Sequence, residues 1–274
     1  MKKHISSIII GLVFLAGLSV LLYPLVSDFI NSRSQSKVIA SYVENVQSLD
    51  NSAYEAVLRE ARDYNDSLEP GLGRFSVKDQ ALEDYHHLLG ADGAPIGYID
   101  IEKIQVSLPI YLGDSDLVLQ VGAGTMPGAS LPIGGPGTHA VLTGHRGLPT
   151  SKLFTDLDQM EVGDTFVIHV LEETLTYQVD QIKIVLPEEM EELELQEDRD
   201  LCTLITCTPY GVNSHRMLVR GTRIDNIVSQ EKTYRVMSDA VQITPMKVAP
   251  VVAAPLILVL VLVAIFGKPR KDED

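Results

Sequence analysis

The chain of 274 residues is poor in two things, cysteine and positive charge. With only two cysteines, no disulfide framework can hold the fold. Cys202 and Cys207 are also poorly placed to bridge each other. Five residues apart on one strand, they face opposite sides and stand about 16 Å apart at roughly 3.3 Å per residue. A disulfide needs Cα atoms within about 7 Å, so both are read as free thiols, with Cys202 a small buried apolar side chain. Lys and Arg number 22 against 37 Asp and Glu, a formal charge of −15. That balance excludes phosphate-backbone binding, and with it nucleic acid as a partner, and it argues against a folded part lying on an anionic membrane surface. Much of the acid sits in Glu188–Asp200, which has no histidine and no regular ligand spacing. It reads as a solvated loop or helix face, and no metal is expected there. No internal repeat or low-complexity linker stands out.

Hydrophobic residues are abundant, at 45%. Ile5–Val26 is almost unbroken apolar sequence behind Lys2, Lys3 and His4, and matches the roughly 20 residues that span a bilayer. A cleaved signal peptide is the competing reading. The run exceeds the 7–15 residues or so of a signal core, and no clear small-x-small site follows it, which favours an uncleaved anchor. Val248–Phe266 is a second span, followed by Lys268, Arg270 and Lys271. The positive-inside rule then places both termini in the cytoplasm and the intervening domain outside. The resulting division is a cytoplasmic start (1–4), a membrane anchor (5–26), a helical region (30–96), a β domain (97–226), a juxtamembrane linker (227–247), a second span (248–266) and a cytoplasmic tail (267–274).

Within Ser36–Leu68, Ile39, Val43 and Val46, then Tyr54, Val57, Leu58 and Ala61, recur at helical spacing. This predicts one or two helices, the second capped by Asp50-Asn51-Ser52. Pro70-Gly71-Leu72-Gly73 breaks the pattern, and Val77–Leu89 resumes it weakly. His86 and His87 are adjacent there and point in different directions, so a shared metal is not expected. Short β runs follow: Gly97–Ile101, Val106–Tyr111, Ala140–Thr143, Thr165–Leu171, Thr174–Val185, Leu201–Cys207 and Arg216–Ile224. No parallel β-α-β alternation is visible. The pattern predicts a mainly β fold, a closed or nearly closed barrel behind N-terminal helices. Gly122–Gly137 reads as a long surface connection suited to be the wall of a substrate groove.

The stretch Leu201–Arg223 carries the chemistry. Cys207 ends an apolar strand and Arg216 opens the next, across a turn-rich loop. A thiol needs a cationic or proton-accepting neighbour to react. His145, in a Gly-flanked loop, could protonate a leaving amine and deprotonate an incoming one. Arg216 stays charged and can only donate hydrogen bonds, to a carbonyl or an oxyanion. His139 and His215 compete with His145, and spacing alone leaves the three open. Equally, a cysteine at a strand end is often inert, and Arg216, Arg220 and Arg223 could be solvated charges.

Thr203-Leu204-Ile205-Thr206-Cys207-Thr208-Pro209-Tyr210-Gly211, with Asn213 and Arg216, resembles the TLxTC…R signature of sortases. Thr138–Leu148, with Ser151-Lys152-Leu153-Phe154, resembles the histidine segment of their class C, pilin-polymerising branch. The similarity runs from about Gly97 to Ile224, and the two-span layout is also like class C. The resemblance implies an eight-stranded barrel, with Cys207 forming an acyl-enzyme, His145 carrying protons and Arg216 stabilising the intermediate. It implies no metal or other cofactor. It also implies partners: pilin subunits bearing an LPxTG-like sorting motif and an acceptor lysine. The alternatives are a housekeeping sortase acting on peptidoglycan, a cysteine protease giving the acyl group to water, and a non-catalytic tethered adhesin or scaffold. In one respect the chain departs from class C, because it lacks the Asp-Pro-aromatic lid tripeptide. Glu69-Pro70 and Arg74-Phe75 come nearest, so an atypical or absent lid and an accessible thiol are expected.

Overall fold

The computed structural model describes residues 2–76, 85, 87–90, 93–148 and 150–226. The juxtamembrane linker, second span and tail read in the sequence lie outside them, as do His86 and most of Val77–Leu89. The chain divides into two compact units, Asp28–Val228 and Met1–Ser27 with Ser229–Asp274.

Helix α1 runs over Lys2–Gln47 with Pro24 inside it. Among the described residues it is the one helix long and apolar enough to cross a membrane. From Asp28 onward its face turns polar and grips the larger unit. Asn31 donates to the Thr150 carbonyl (2.6 Å), and Gln35 to the Val121 carbonyl (3.0 Å). The Tyr42 hydroxyl donates to the Ile96 carbonyl (2.7 Å) and accepts from the Leu171 N–H (2.6 Å). Helix α2, Asn51–Asp66, starts where the sequence places its cap. The Asp50 carboxylate accepts the Ser52 and Ala53 N–H groups at 2.9 and 2.8 Å, satisfying donors that the first helical turn leaves free.

Eight strands close into a barrel in the order β1-β2-β3-β4-β7-β8-β6-β5. They are β1 Gly97–Ile101, β2 Val106–Tyr111, β3 Ala123–Thr125, β4 Thr138–Thr143, β5 Thr165–Val170, β6 Glu173–Val185, β7 Asp200–Thr208 and β8 His215–Ile224. Alternation sends one face of each strand inward. Ile99, Ile110, Leu142, Phe166, Ile168, Tyr177, Leu204 and Val219 fill the interior, and the Phe166 and Tyr177 rings stack with centroids 5.5 Å apart. Two neighbouring pairs are parallel, although the sequence shows no regular β-α-β alternation. β2 pairs parallel with β3 through the single-turn helix α3, Asp116–Leu119, and β4 pairs parallel with β7.

A second, smaller cluster lies on the opposite face of β4, β7 and β8. Val141, Ile205 and Leu218 are covered there by Ala129 and by Leu193 of the β6–β7 connection. The acidic run Glu188–Asp200 is therefore more than a solvated face, since Leu193 is buried against the sheet while Glu192 pairs with Lys183 outside.

Candidate active site

The second face of the sheet becomes a groove at the C-terminal end of β7. Cys207 and Arg216 are direct partners across the antiparallel β7–β8 ladder, so their side chains leave the same face. On the other flank, β4 runs parallel to β7 with Thr143 beside Ile205. Gly144 extends that pairing by donating its N–H to the Ile205 carbonyl at 3.0 Å. Continued by one residue, the register brings His145 alongside Cys207. On that continuation the three residues fall in one row across neighbouring strands, which in a sheet stand about 4.8 Å apart. All three line a single cavity of about 350 Å³.

The cavity floor is Ile205 and Leu218. One wall is Val185, Met190 and Leu193, and Leu119 and Met126 form the other. Met126 belongs to the Gly122–Gly137 connection, which α2 holds in place. The Asn65 amide accepts the Leu131 N–H (2.7 Å) and donates to the Leu131 carbonyl (3.2 Å), mimicking a strand pairing. The Tyr64 hydroxyl accepts from Gly128 N–H and donates to the Ala129 carbonyl, both at 3.3 Å. The 3-10 turn Leu72–Phe75 crosses between this connection and the other wall. Phe75 packs on the second cluster, and Arg74 donates to the Leu193 carbonyl (2.5 Å) and pairs with Glu194 (3.5 Å). Gly128, at φ +87°, makes room for it, because a Cβ there would lie 2.2 Å from the Arg74 carbonyl oxygen.

The histidine loop is fastened at its root. The Thr206 hydroxyl donates to the Gly144 carbonyl (2.8 Å), and Phe154 N–H donates to the His145 carbonyl (3.2 Å). Gly144 is obligatory here, since a Cβ would come within 2.4 Å of the buried Phe154 ring.

The rival histidines are engaged elsewhere. His215 is opposite Thr208, so it leaves the face away from Cys207, and its ring meets the Ser214 hydroxyl at 2.9 Å. His139 lies opposite Leu201, six positions back along the sheet and so roughly 20 Å from the Cys207 row. It is fully buried, with Nδ1 3.0 Å from the Glu194 carbonyl and Nε2 2.7 Å from the Thr203 hydroxyl. A carbonyl can only accept, so Nδ1 carries the proton and Nε2 accepts from Thr203. Burial, aided by the Arg220, Arg74 and Arg199 charges and opposed by the Glu194 bond, pushes its pKa down to about 4.

Of the other candidate charges, Arg220 grips Asp180 with two bonds of 3.0 Å, and Arg223 donates to the Thr174 and Thr176 carbonyls at 3.2 Å. Arg216 donates to the Asn213 and His215 carbonyls of its own loop at 3.2 Å. Cys202 is fully buried on the interior face, and burial pushes its thiol pKa well up. Both cysteines are free. The sequence reading assigned nothing to Thr143, Thr206 or Arg146. The Thr143 hydroxyl, buried at the cavity edge, has no hydrogen-bond partner among the described residues.

Residues 99–224 match the Sortase domain. Among solved structures, the chain is similar to sortase C1 of Streptococcus agalactiae, with 44% identity and a TM-score of 0.64, covering 69% of this chain and 99% of that one. Sortase C-1 of Streptococcus pneumoniae matches at 40% identity and a TM-score of 0.61, covering 68% and 97%. A curated relative, Sortase A of S. agalactiae, is 32% identical over 116 residues, which is 41% of this chain and 47% of that protein, so this match spans about half of the relative's length. The eight-stranded barrel, the matched domain and the near-complete coverage of the class C structures place the chain in the sortase family of cysteine transpeptidases, in its class C branch.

Proposed function

We propose that the protein is a membrane-anchored transpeptidase that cuts an LPxTG-like sorting motif of a pilin subunit and joins the new C-terminus to a lysine amine of another pilin, building a covalent pilus. The observation that carries this reading is that Cys207 and Arg216, partners across β7 and β8, line one apolar-floored cavity together with His145.

In this mechanism the Cys207 thiolate attacks the carbonyl carbon of the motif's Thr. Arg216 turns its donors to the oxyanion. The C–N bond to Gly breaks as the His145 imidazolium protonates the leaving amine, leaving a thioester and neutral His145. The lysine amine then attacks the thioester carbonyl and gives a proton to His145. The amide forms and the Cys207 thiolate leaves. No step draws on a metal or cofactor. The apolar floor of Ile205 and Leu218 suits the motif's leucine, and the free hydroxyl of Thr143 is available to the bound backbone. The turn Leu72–Phe75 serves as an atypical lid, held by Arg74 and Phe75 in place of an Asp-Pro-aromatic triplet. The apolar part of α1 anchors the domain, and with Val248–Phe266 read as a second span the flanking lysines and arginines favour both termini in the cytoplasm and the domain outside.

Intact mass spectrometry of the protein mixed with a sorting-motif peptide tests the reading. A Cys207-dependent adduct of the peptide's acyl half, discharged by a lysine-bearing pilin, is the expected result. No adduct on a thiol that a small alkylating reagent still reaches would overturn the substrate class. An adduct discharged only by water would overturn the transfer step.

A further inference from the structure

We propose that Arg146 is a positioning residue, which holds the His145 loop in register with the strand end that carries Cys207. The inference rests on reading the Cys207 cavity as the reactive site. Arg146 follows His145 directly in the chain, and its side chain is only 9% exposed. Its guanidinium reaches three acceptors, one on the end of β7 and two on the turn at 155–158. Nη1 donates to the hydroxyl of Thr208, the residue after Cys207, at 2.9 Å. Nε donates to the Thr155 carbonyl at 3.2 Å, and Nη2 meets the Asp158 carboxylate at 2.6 Å. The Thr155 hydroxyl in turn accepts the Gly147 N–H at 3.1 Å, so the far side of the loop closes on the same turn.

Among the described residues, backbone pairing between β4 and β7 reaches no further than the Gly144–Ile205 bond. Beyond it, among the described residues, the Arg146–Thr208 bond is the one side-chain hydrogen bond joining residues 145–159 to the chain from Cys207 to Arg216. That bond ties together the two chain segments that carry His145 and Cys207. The geometry needs a planar fork with donors on three edges. A lysine ammonium has the charge but not the shape. A displacement of about 1 Å at such a site costs on the order of 100-fold in rate.

The test uses the full chain in detergent micelles, with two readouts. The first needs no substrate: the rate of Cys207 alkylation by iodoacetamide at neutral pH, in wild type, Arg146→Gln, Arg146→Lys, His145→Ala and the double variant Arg146→Gln/His145→Ala. Both glutamine and lysine should change the rate in the direction that His145→Ala changes it. In the His145→Ala background, Arg146→Gln should add less than about twofold, because the residue acts through the imidazole. Full rescue by lysine, or equal and additive effects in the two backgrounds, would overturn the proposal, since charge or general destabilisation would then be the cause. The second readout is peptide cleavage, where kcat should fall about 10- to 100-fold with KM unchanged. Thr208→Val removes the acceptor without changing shape and should lower kcat in the same way, while Asp158→Asn, at the solvent end of the fork, should change it less than threefold. Equal kcat in wild type and Thr208→Val overturns the proposal. An inactive wild type whose alkylation still follows the first pattern would instead refute the substrate class and leave the positioning role standing.

Discussion

His139 should make the fold lose stability on mild acidification, beginning above the range in which carboxylates titrate. In the folded protein its ring is buried between the Glu194 carbonyl and the Thr203 hydroxyl, where an imidazolium charge would be cut off from water. Its pKa is lowered from 6.5 to about 4. The unfolded chain therefore binds a proton as pH drops through about 6.5, while the folded chain does not until about 4, and stability falls across that window. At pH 5 the loss from this one group is about 2 kcal/mol, and below pH 4 it levels off at about 3 kcal/mol, taking 1.36 kcal/mol per pKa unit. Urea unfolding of the Asp28–Val228 unit, followed by circular dichroism at pH 7 and pH 5, measures it. His139→Gln keeps an amide near Thr203, loses the Glu194 bond and cannot titrate. It should be less stable than wild type at pH 7 but lose about 2 kcal/mol less on acidification to pH 5. Titrations of the other histidines and the carboxylates are common to both proteins and cancel in the difference. Equal losses in the two proteins would refute the argument.

Native protein treated with a small thiol reagent should gain one label, on half-buried Cys207, and a second on Cys202 only after denaturation, as intact mass would show. Gly144→Ala forces its Cβ into the Phe154 ring and should cost about 1–3 kcal/mol of stability, with kcat falling more than KM rises because the displaced strand end carries His145. Arg74→Ala, which frees the Leu72–Phe75 turn from Leu193 and Glu194, should speed alkylation of Cys207. An unchanged rate would mean the turn does not control access.

The elements legible from sequence are those whose cause is local. Asp50 caps α2 through its own next three residues, and β1 and β2 show in the alternation of Ile99, Ile101, Val106, Leu108 and Ile110. β3 was illegible, because Ala123-Gly124-Thr125 is too short to carry a period and pairs only with non-local partners. The parallel pairing of β2 with β3 was hidden for a related reason. Its crossover helix is the four residues Asp116–Leu119, far below the length at which helical periodicity shows. The continuity of α1 past Ser27 was equally concealed, since the apolar stripe ends there while the helix does not.

The site divides along the same line. Cys207 and Arg216 belong to one antiparallel pair joined by a short loop, so their approach follows from the chain's own turn. His145 reaches them only through the parallel register of β4 on β7, set by strands more than fifty residues apart in sequence. Spacing cannot carry that register, which is why His139, His145 and His215 stood level until the sheet separated them. The separation itself is elementary. His215 is one residue out of phase and so on the wrong face, and His139 is in phase but three pleats too far back, under Glu194. A residue's phase and row on the sheet therefore decide which imidazole lines the Cys207 cavity. The same rule accounts for Arg146: out of phase with His145, it cannot enter the cavity row and instead turns to Thr208, likewise out of phase with Cys207. The cavity-lining His145 and Cys207 and the bonded pair Arg146 and Thr208 thus alternate along the same two chain segments, one set lining the groove and the other joining the loop to the barrel.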